Sequence, residues 1–178
     1  MNLKEAKYNY LLQQHKNNIY GYALYMMKNQ MDADDVTQEV MIKTWYNMGK
    51  FNMMAAKTWM MRTTHNLCID YLRRRKAVLQ KEVVIDEGFT ENYLDEDESN
   101  NPLLKVHWKM MSAKLKQVIH DLPENLKSVF VLYEIQGLKY KEISKTLDVP
   151  INTVKVQLLR ARKKIQKELK SYEPQEVL

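Results

Sequence analysis

The sequence predicts an all-α protein made of two small helical domains. Its 178 residues suit one or two small domains, and its 45% of apolar residues are enough for packed cores. Gly and Pro number only four each, whereas a β-sandwich or barrel needs many turns rich in these residues. Apolar residues recur at three- and four-residue spacing in both halves of the chain, which is the period of a helix.

The charge divides the chain into three parts. Residues 1–80 carry 12 basic and 6 acidic side chains, and residues 102–178 carry 15 basic and 8 acidic ones. Between them, residues 81–101 carry 1 basic and 8 acidic side chains and have few periodic apolar positions. This composition predicts a flexible acidic linker between two basic domains. Two basic domains on one tether favour a polyanion that is contacted at two places.

Composition also excludes several classes of protein. A single Cys excludes a disulfide framework and a zinc site built on several thiolates. The longest apolar run, residues 22–27, is far too short to span a membrane, and the first residues lack the apolar core of a signal peptide. We therefore expect a cytoplasmic protein without direct membrane insertion, and we expect neither a metal nor a cofactor.

Three helices are predicted in the N-terminal domain. The first carries one apolar stripe along its length. The second begins at the N-cap Asp32, with carboxylates in its first turn, and ends near Gly49. The third runs from about Thr58 to about Gln80 and ends in a block of four basic residues.

The C-terminal domain is predicted to begin with two further helices. The first has apolar residues at helical spacing, among them Trp108 and Val118. Pro123 is placed as the first residue of the second helix, which we expect to end at Gly137.

The last two helices form a helix-turn-helix pattern. A short helix over 140–147 precedes a break at 148–150 and a basic helix capped by Asn152 or Thr153. Apolar side chains can lock the two helices into one corner: Ile143, Leu147, Val149, Val154 and Leu158. Gln and Arg on the outer face can pair with base edges in the major groove, and Lys can neutralise phosphate. This pattern favours DNA binding over a merely solvated basic helix.

The N-terminal domain carries a different signal, in which aromatic and basic residues alternate around Trp59 and Arg62. Aromatic rings can stack on exposed bases while cations follow the backbone, which suits single-stranded nucleic acid. The alternative is a hydrophobic core with a charged rim. The neighbouring carboxylates Asp35 and Glu39 share a helix face, but without His they are a weak metal signal, and contact with a basic partner is favoured.

Five blocks of sequence carry a family resemblance. They are residues 32–51, which contain Asp-Ala-Asp-Asp-Val-Thr-Gln-Glu-Val, residues 59–75, which end in Cys-Ile-Asp-Tyr-Leu-Arg-Arg-Arg, and residues 122–138, 140–144 and 152–164. In order and spacing they resemble bacterial sigma factors of the extracytoplasmic-function (ECF) group of the sigma-70 family. The first block is similar to that family's polymerase-binding helix, the second to its −10-reading helix, and the last three to its −35-reading domain.

The resemblance implies a transcription initiation factor that binds core RNA polymerase, directs it to promoters and assists melting of the −10 region, without catalytic residues. The residues implied in core polymerase binding are Asp35, Gln38, Glu39, Lys43 and Trp45. Those implied in −10 DNA binding are Phe51, Trp59, Arg62, His65, Asn66, Arg73 and Arg74. Those implied in −35 DNA binding are Asn152, Thr153, Lys155, Val156, Gln157, Leu159, Arg160 and Lys163.

The same resemblance implies promoter DNA, core RNA polymerase and an anti-sigma protein as partners, and no small-molecule substrate. The chain has Asp148 where many members have Gly, and Val156 and Gln157 in place of the common Ser and Arg, so the −35 sequence that it reads can differ. Two alternatives stay open. One is a helix-turn-helix regulator that binds duplex DNA without being a polymerase subunit. The other is a metal-dependent nucleic-acid enzyme using Asp32, Asp34, Asp35 and Glu39.

Overall fold

The structure, a computed structural model, describes residues 3–79 and 102–171, and the predicted linker 81–101 lies outside this part of the chain. Helices account for nearly all of the described residues, besides short turns and an isolated bridge between Met48 and Phe51. The all-α prediction is confirmed. None of the helices in the described part is long and apolar enough to cross a membrane.

Within residues 3–79, the N-terminal domain contains three long helices and one short turn. Helix α1 spans Leu3–Met27, α2 spans Gln30–Asn47 and α3 spans Ala56–Leu79, with a single 3₁₀ turn at Met53–Ala55 before α3. The first helix packs against both others. The three helices thus enclose one apolar core. The outer faces of α2 and α3 lie side by side on the surface.

The predicted cap of α2 was wrong by three residues. Asn29, not Asp32, is the N-cap, because its side-chain oxygen accepts a hydrogen bond from the Asp32 backbone N–H at 2.9 Å. Asp32 therefore lies in the first turn, where its carboxylate faces the positive end of the helix dipole. The helix also ends two residues before Gly49, whose φ of +106° turns the chain toward α3.

The described part of the C-terminal domain, residues 102–171, contains four helices. Helix α4 spans Pro102–His120, α5 spans Glu124–Phe130 and continues through a π-helical turn at Val131–Ile135, α6 spans Tyr140–Leu147 and α7 spans Ile151–Lys170. The bounds predicted for α6 are confirmed. The remaining elements differ from the prediction mainly at their ends.

Three of these differences have a local physical cause. Pro123 precedes α5 as its N-cap, and the helical turns stop before Gly137, which takes a φ of +66°. Pro150 is the N-cap of α7, so Asn152 and Thr153 lie inside the first turn instead of capping it. Trp108, one of the apolar residues at helical spacing in α4, is 58% exposed.

One apolar cluster runs through both domains. In the N-terminal domain its fully buried members include Leu11, Ile19, Tyr22, Met26, Val36, Val40, Met60 and Cys68. In the C-terminal domain they include Val129, Leu132, Ile143, Val154, Leu158 and Ala161. The domains meet where α1 packs on α5 and its π-helical turn, and where α3 packs on α6. The helix-turn-helix is therefore docked directly on the N-terminal domain.

Candidate nucleic-acid interface

The helix-turn-helix is held by a locked turn and an apolar corner. Asp148 ends α6 in the left-handed conformation, with a φ of +57°. The Ser144 hydroxyl donates to the Val149 carbonyl oxygen at 2.6 Å, and the Val149 N–H donates back to the Ser144 carbonyl at 3.1 Å. Ile143 and Leu158 are buried behind this turn. The angle between α6 and α7 is thus fixed by both hydrogen bonds and packing, as a DNA-reading unit requires.

The outer face of α7 presents most of the predicted −35 residues to solvent. Exposed side chains on this face are Asn152, Lys155, Val156, Leu159, Arg160 and Lys163, while Thr153 and Gln157 are half-buried. Val156 is 46% and Leu159 is 53% exposed, although both are apolar. Apolar side chains beside Arg and Lys on a groove-sized helix suit the methyl group of thymine. The inner face, with Val154, is buried, so the helix has one packed side and one solvent-exposed side.

Arg162, part of the same basic helix, is anchored to the protein. Its Nε donates to the Glu134 carboxylate at 2.8 Å, and its guanidinium lies 5.4 Å from the centre of the Tyr133 ring. Tyr133 in turn stacks on Tyr140, with ring centres 4.9 Å apart. These contacts tie α7 to the turn after α5, so Arg162 positions the helix.

The predicted −10 residues on and before α3 differ in how they are held. Phe51 and Trp59 stack on each other, with ring centres 4.8 Å apart and an interplanar angle of 22°, and both are half-buried. Asn66 and Arg74 are exposed, and so is Arg73, which bonds Asp70 of its own helix at 3.0 Å. The aromatic pair thus lies at the start of α3 and the cations lie toward its end. Between them the helix has one polar face that is open to solvent.

His65 faces inward, in contrast to the other −10 residues. Its Nδ1 lies 2.8 Å from the hydroxyl oxygen of the buried Tyr22, within hydrogen-bonding distance. Burial lowers the pKa of His65 to about 4, so the ring is neutral at physiological pH. The same burial raises the pKa of the Tyr22 hydroxyl. This pair joins α1 to α3, and a DNA contact by His65 stays a prediction.

The predicted polymerase-binding residues form a ridge on α2. Asp35, Gln38 and Lys43 are exposed, and Glu39 pairs with Lys43 at 3.2 Å. The Trp45 ring is half-buried and lies among residues of α1. Across residues 3–79 and 102–171, no three His, Cys, Asp or Glu side chains are grouped as a metal ion would require. Asp35 and Glu39 lie on one side of α2, and their contact with a basic partner stays a prediction.

Contacts between the domains are the feature that the sequence did not predict. Three ion pairs each join a cation of the N-terminal domain to a carboxylate of the C-terminal domain: Lys28–Asp121 at 3.3 Å, Lys57–Glu142 at 3.9 Å and Arg62–Asp148 at 2.9 Å. The His120 Nδ1 also lies 3.1 Å from the Tyr25 carbonyl oxygen. We call this docked state of the two domains the closed arrangement. Its one signal in the sequence is Asp148, an acidic residue where the resemblance leads one to expect Gly.

Comparison with known proteins identifies both domains. A model of Sigma-70 region 2 matches residues 11–78, and one of Sigma-70 region 4 matches residues 112–165. The ECF RNA polymerase sigma factor SigW of Bacillus subtilis is 31% identical over 159 residues, which are 88% of this chain and 85% of that protein. The chain belongs to the ECF family of RNA polymerase sigma factors.

Two further comparisons place this sigma factor. It is 31% identical over 156 residues to the ECF RNA polymerase sigma factor SigE of Mycolicibacterium smegmatis. The aligned residues are 87% of this chain but only 58% of the length of that protein. The sigma factor RpoE of Bartonella quintana, solved in complex with the anti-sigma factor NepR, superposes with a TM-score of 0.75. That match covers 93% of this chain and 98% of the other at 18% identity, so it concerns the fold. The region 2 match contains α2, and the region 4 match contains all of α6.

Proposed function

We propose that this ECF sigma factor binds core RNA polymerase through α2 and directs it to promoters, reading the −35 element with α7 and the −10 element with α3. The observation that carries the proposal is that region 2 and region 4 lie on one chain, each with a polar helix face in solvent. The protein acts in the cytoplasm by binding alone, without a catalytic step of its own. Its partners are core polymerase, promoter DNA and an anti-sigma protein.

The −35 role follows from the two faces of α7. Its inner face is buried in the helix-turn-helix corner, and its outer face carries Arg160 and Lys163 in solvent. An α-helix fits the major groove, where Arg pairs bidentately with guanine and Lys neutralises phosphate. Val156 and Leu159 add apolar contacts that favour thymine. We expect the phosphate contacts to dominate affinity and make it salt-dependent.

The −10 role rests on the aromatic pair and the cations of α3. Phe51 and Trp59 stack on each other, and an unpaired base can stack on the outer ring or insert between the two. Asn66 and Arg74 lie exposed along the same helix and can contact base edges and backbone. Binding of unpaired bases favours the melted promoter only to the extent that the protein binds open DNA more tightly than closed DNA.

The polymerase role rests on the ridge of α2. Asp35, Gln38 and Glu39 recur at helical spacing on one side of the helix, and their charge suits a basic surface on the polymerase. The ridge distinguishes a sigma factor from an independent helix-turn-helix regulator, because only a sigma factor needs these residues to bind core polymerase.

A capture experiment tests the polymerase role. The full chain is immobilised and incubated with sigma-depleted core polymerase, and the bound enzyme is quantified. Glu39→Lys places a cation beside Lys43 and is expected to reduce capture at least tenfold. Asp34→Lys is the matched control, because it makes the same charge change on an exposed residue about 100° around the helix from Asp35. Equal capture by wild type and Glu39→Lys would refute the role of the ridge.

A further inference from the structure

The outermost side chains of α7 follow from the positions of its buried ones. The residues that pack into the domain lie on one stripe: Val154, Leu158, Ala161 and Ile165. Successive residues of a helix are about 100° apart, so Val156 and Lys163 lie within about 10° of the direction opposite to this stripe. Leu159 and Arg160 lie about 50° to either side of that direction. In the first two turns of α7, Val156 is therefore the side chain directed furthest from the packed face.

Two of these outward side chains are apolar and lie in solvent. Val156 is 46% and Leu159 is 53% exposed, and we call these two residues the apolar pair. They are three positions apart, and residues at that spacing are neighbours on a helix surface, with about 5–6 Å between their Cβ atoms. The other outward residues of α7 are polar or charged: Asn152, Arg160, Lys163 and Lys167. The apolar pair is thus a small methyl-sized surface within a polar face.

The place of the apolar pair along α7 decides what it can touch. In a helix-turn-helix, residues in the N-terminal part of the second helix contact base edges in the major groove. Val156 is the sixth residue of α7 and Leu159 is the ninth. Lys163 lies one turn further on, about 6 Å along the axis from Leu159, where its charge suits a phosphate. The apolar pair is therefore placed for bases, and the cations after it are placed for the backbone.

The chemistry of the face selects one base for this pair. Thymine is the base that offers a methyl group in the major groove, whereas cytosine offers an amino donor that Asp or Glu accepts. From Ile151 to Lys167, α7 contains neither Asp nor Glu. Asn152 suits adenine and Arg160 suits guanine. The outward face thus has groups for adenine, guanine and the thymine methyl, but no carboxylate to read cytosine.

We propose that the apolar pair reads one thymine of the −35 element by its C5 methyl group. This inference rests on the proposed function of α7 and deepens it, because it names the base and the chemical group that are recognised. The methyl group leaves water and packs against Val156 and Leu159, so no hydrogen bond is needed at this position. Burial of one methyl-sized group is expected to change affinity about fourfold, which corresponds to about 0.8 kcal/mol.

Removal of a single methyl group from the DNA tests the proposal. Holoenzyme is assembled from sigma-depleted core polymerase and the full chain, and promoter fragments are selected from a library randomised over the −35 element. Each thymine of the selected element, on either strand, is then replaced by deoxyuridine, which lacks only the C5 methyl group. One replacement is expected to weaken holoenzyme binding about fourfold in a competition assay. If every replacement leaves binding unchanged, the proposal is overturned.

Addition of the methyl group provides the reverse test. A cytosine–guanine pair replaces the thymine–adenine pair at the position that responds to deoxyuridine, and it is compared with a 5-methylcytosine–guanine pair. The two pairs present the same hydrogen-bonding groups and differ only by the methyl group. The methylated pair is expected to bind about fourfold more tightly. Equal binding of the two pairs would contradict recognition of the methyl group.

Two variants assign the effect to the apolar pair. Val156→Ser removes both methyl groups of an exposed side chain and is expected to reduce the deoxyuridine effect to less than about 1.5-fold, since the two changes remove the same contact. Ile151→Ser is the matched control, because it removes apolar atoms from a residue that is 39% exposed on the same helix, about 140° from Val156. The control is expected to keep the full effect. A fourfold effect that persists in Val156→Ser would overturn the role of the pair.

The outcomes separate this inference from the proposed function. A holoenzyme that selects a −35 element but binds deoxyuridine and thymine equally is still a sigma factor, and only the inference is lost. A chain that selects no promoter fragment overturns the proposed function and the inference together. If Val156→Ser weakens polymerase capture and leaves the deoxyuridine effect intact, the apolar pair contacts protein instead of DNA, and the proposal is overturned.

Discussion

His120 makes the closed arrangement sensitive to pH. This residue ends α4, is only 7% exposed, and has its Nδ1 3.1 Å from the Tyr25 carbonyl oxygen of α1. Burial, with the cations Lys28 and Lys127 nearby, lowers the pKa of His120 to about 4, although the Tyr25 carbonyl and Asp121 oppose the shift. Protonation of His120 therefore favours separation of the domains.

The magnitude follows from linkage. When separation returns His120 to water, its pKa rises toward the ordinary value of about 6.5. Since the pKa is depressed in the closed arrangement, the contribution of His120 is fully present above about pH 6.5 and is lost as the pH falls toward 4. Between pH 7.5 and pH 5, the ratio of closed to open molecules should fall about thirtyfold, which is about 2 kcal/mol. Burial lowers the pKa of Lys127 to about 8, so its titration lies above this range.

Energy transfer between the domains measures this effect. Dyes are attached to cysteines that replace Tyr10 of α1 and Lys164 of α7, both exposed. Transfer should fall between pH 7.5 and pH 5 in the wild-type background and stay constant in His120→Gln, which cannot be protonated. Circular dichroism checks that the domains stay folded, because the buried His65 also loses its contribution over this range. Unchanged transfer in wild type, or a His120 pKa near 6.5 by NMR, would refute the reasoning.

Three further predictions concern the DNA-binding faces. Leu158 is only 1% exposed, so Leu158→Ala should lower the free energy of unfolding of the C-terminal domain in urea by about 2–5 kcal/mol. Leu159 is 53% exposed, so Leu159→Ala should change that free energy by less than about 0.5 kcal/mol. Equal losses of stability in the two variants would contradict the assignment of a buried and an exposed face to α7. Arg160→Ala should weaken duplex binding by about 1–3 kcal/mol and relax base preference, measured on a promoter library, while Lys163→Ala should weaken all sequences alike. Arg74→Ala should reduce the slope of log K against log salt for single-stranded DNA by about 0.7, and an unchanged slope would show that Arg74 touches no phosphate.

Local patterns in the sequence predict the fold and the −35 face well, because these depend on residues close together in the chain. The bounds of α6 and the buried positions Val154, Leu158, Ala161 and Ile165 follow from one helical period. Helix ends are harder to predict. Asn29 and Asp32 are both good caps, and only the backbone conformation decides between them.

The domain contact could not be predicted, because it depends on residues far apart in the chain. Arg62 and Asp148 are separated by 86 positions, and no periodic pattern links them. The exposure of Trp108 has a similar origin, since the same spacing that buries Val118 of α4 continues into turns that are not packed on the core. His65 shows the same limit: its place among aromatic and basic residues favours a DNA contact, but its ring is turned toward Tyr22.

Run-off transcription tests the central claim most directly. Sigma-depleted bacterial core polymerase is incubated with the purified chain and a library of promoter fragments, and transcript start sites are sequenced. We predict defined starts that depend on the added chain, are lost with Glu39→Lys, and come from an altered set of promoters with Arg160→Ala. Absence of any start site that depends on the chain, with polymerase that a known sigma factor activates, would contradict the account.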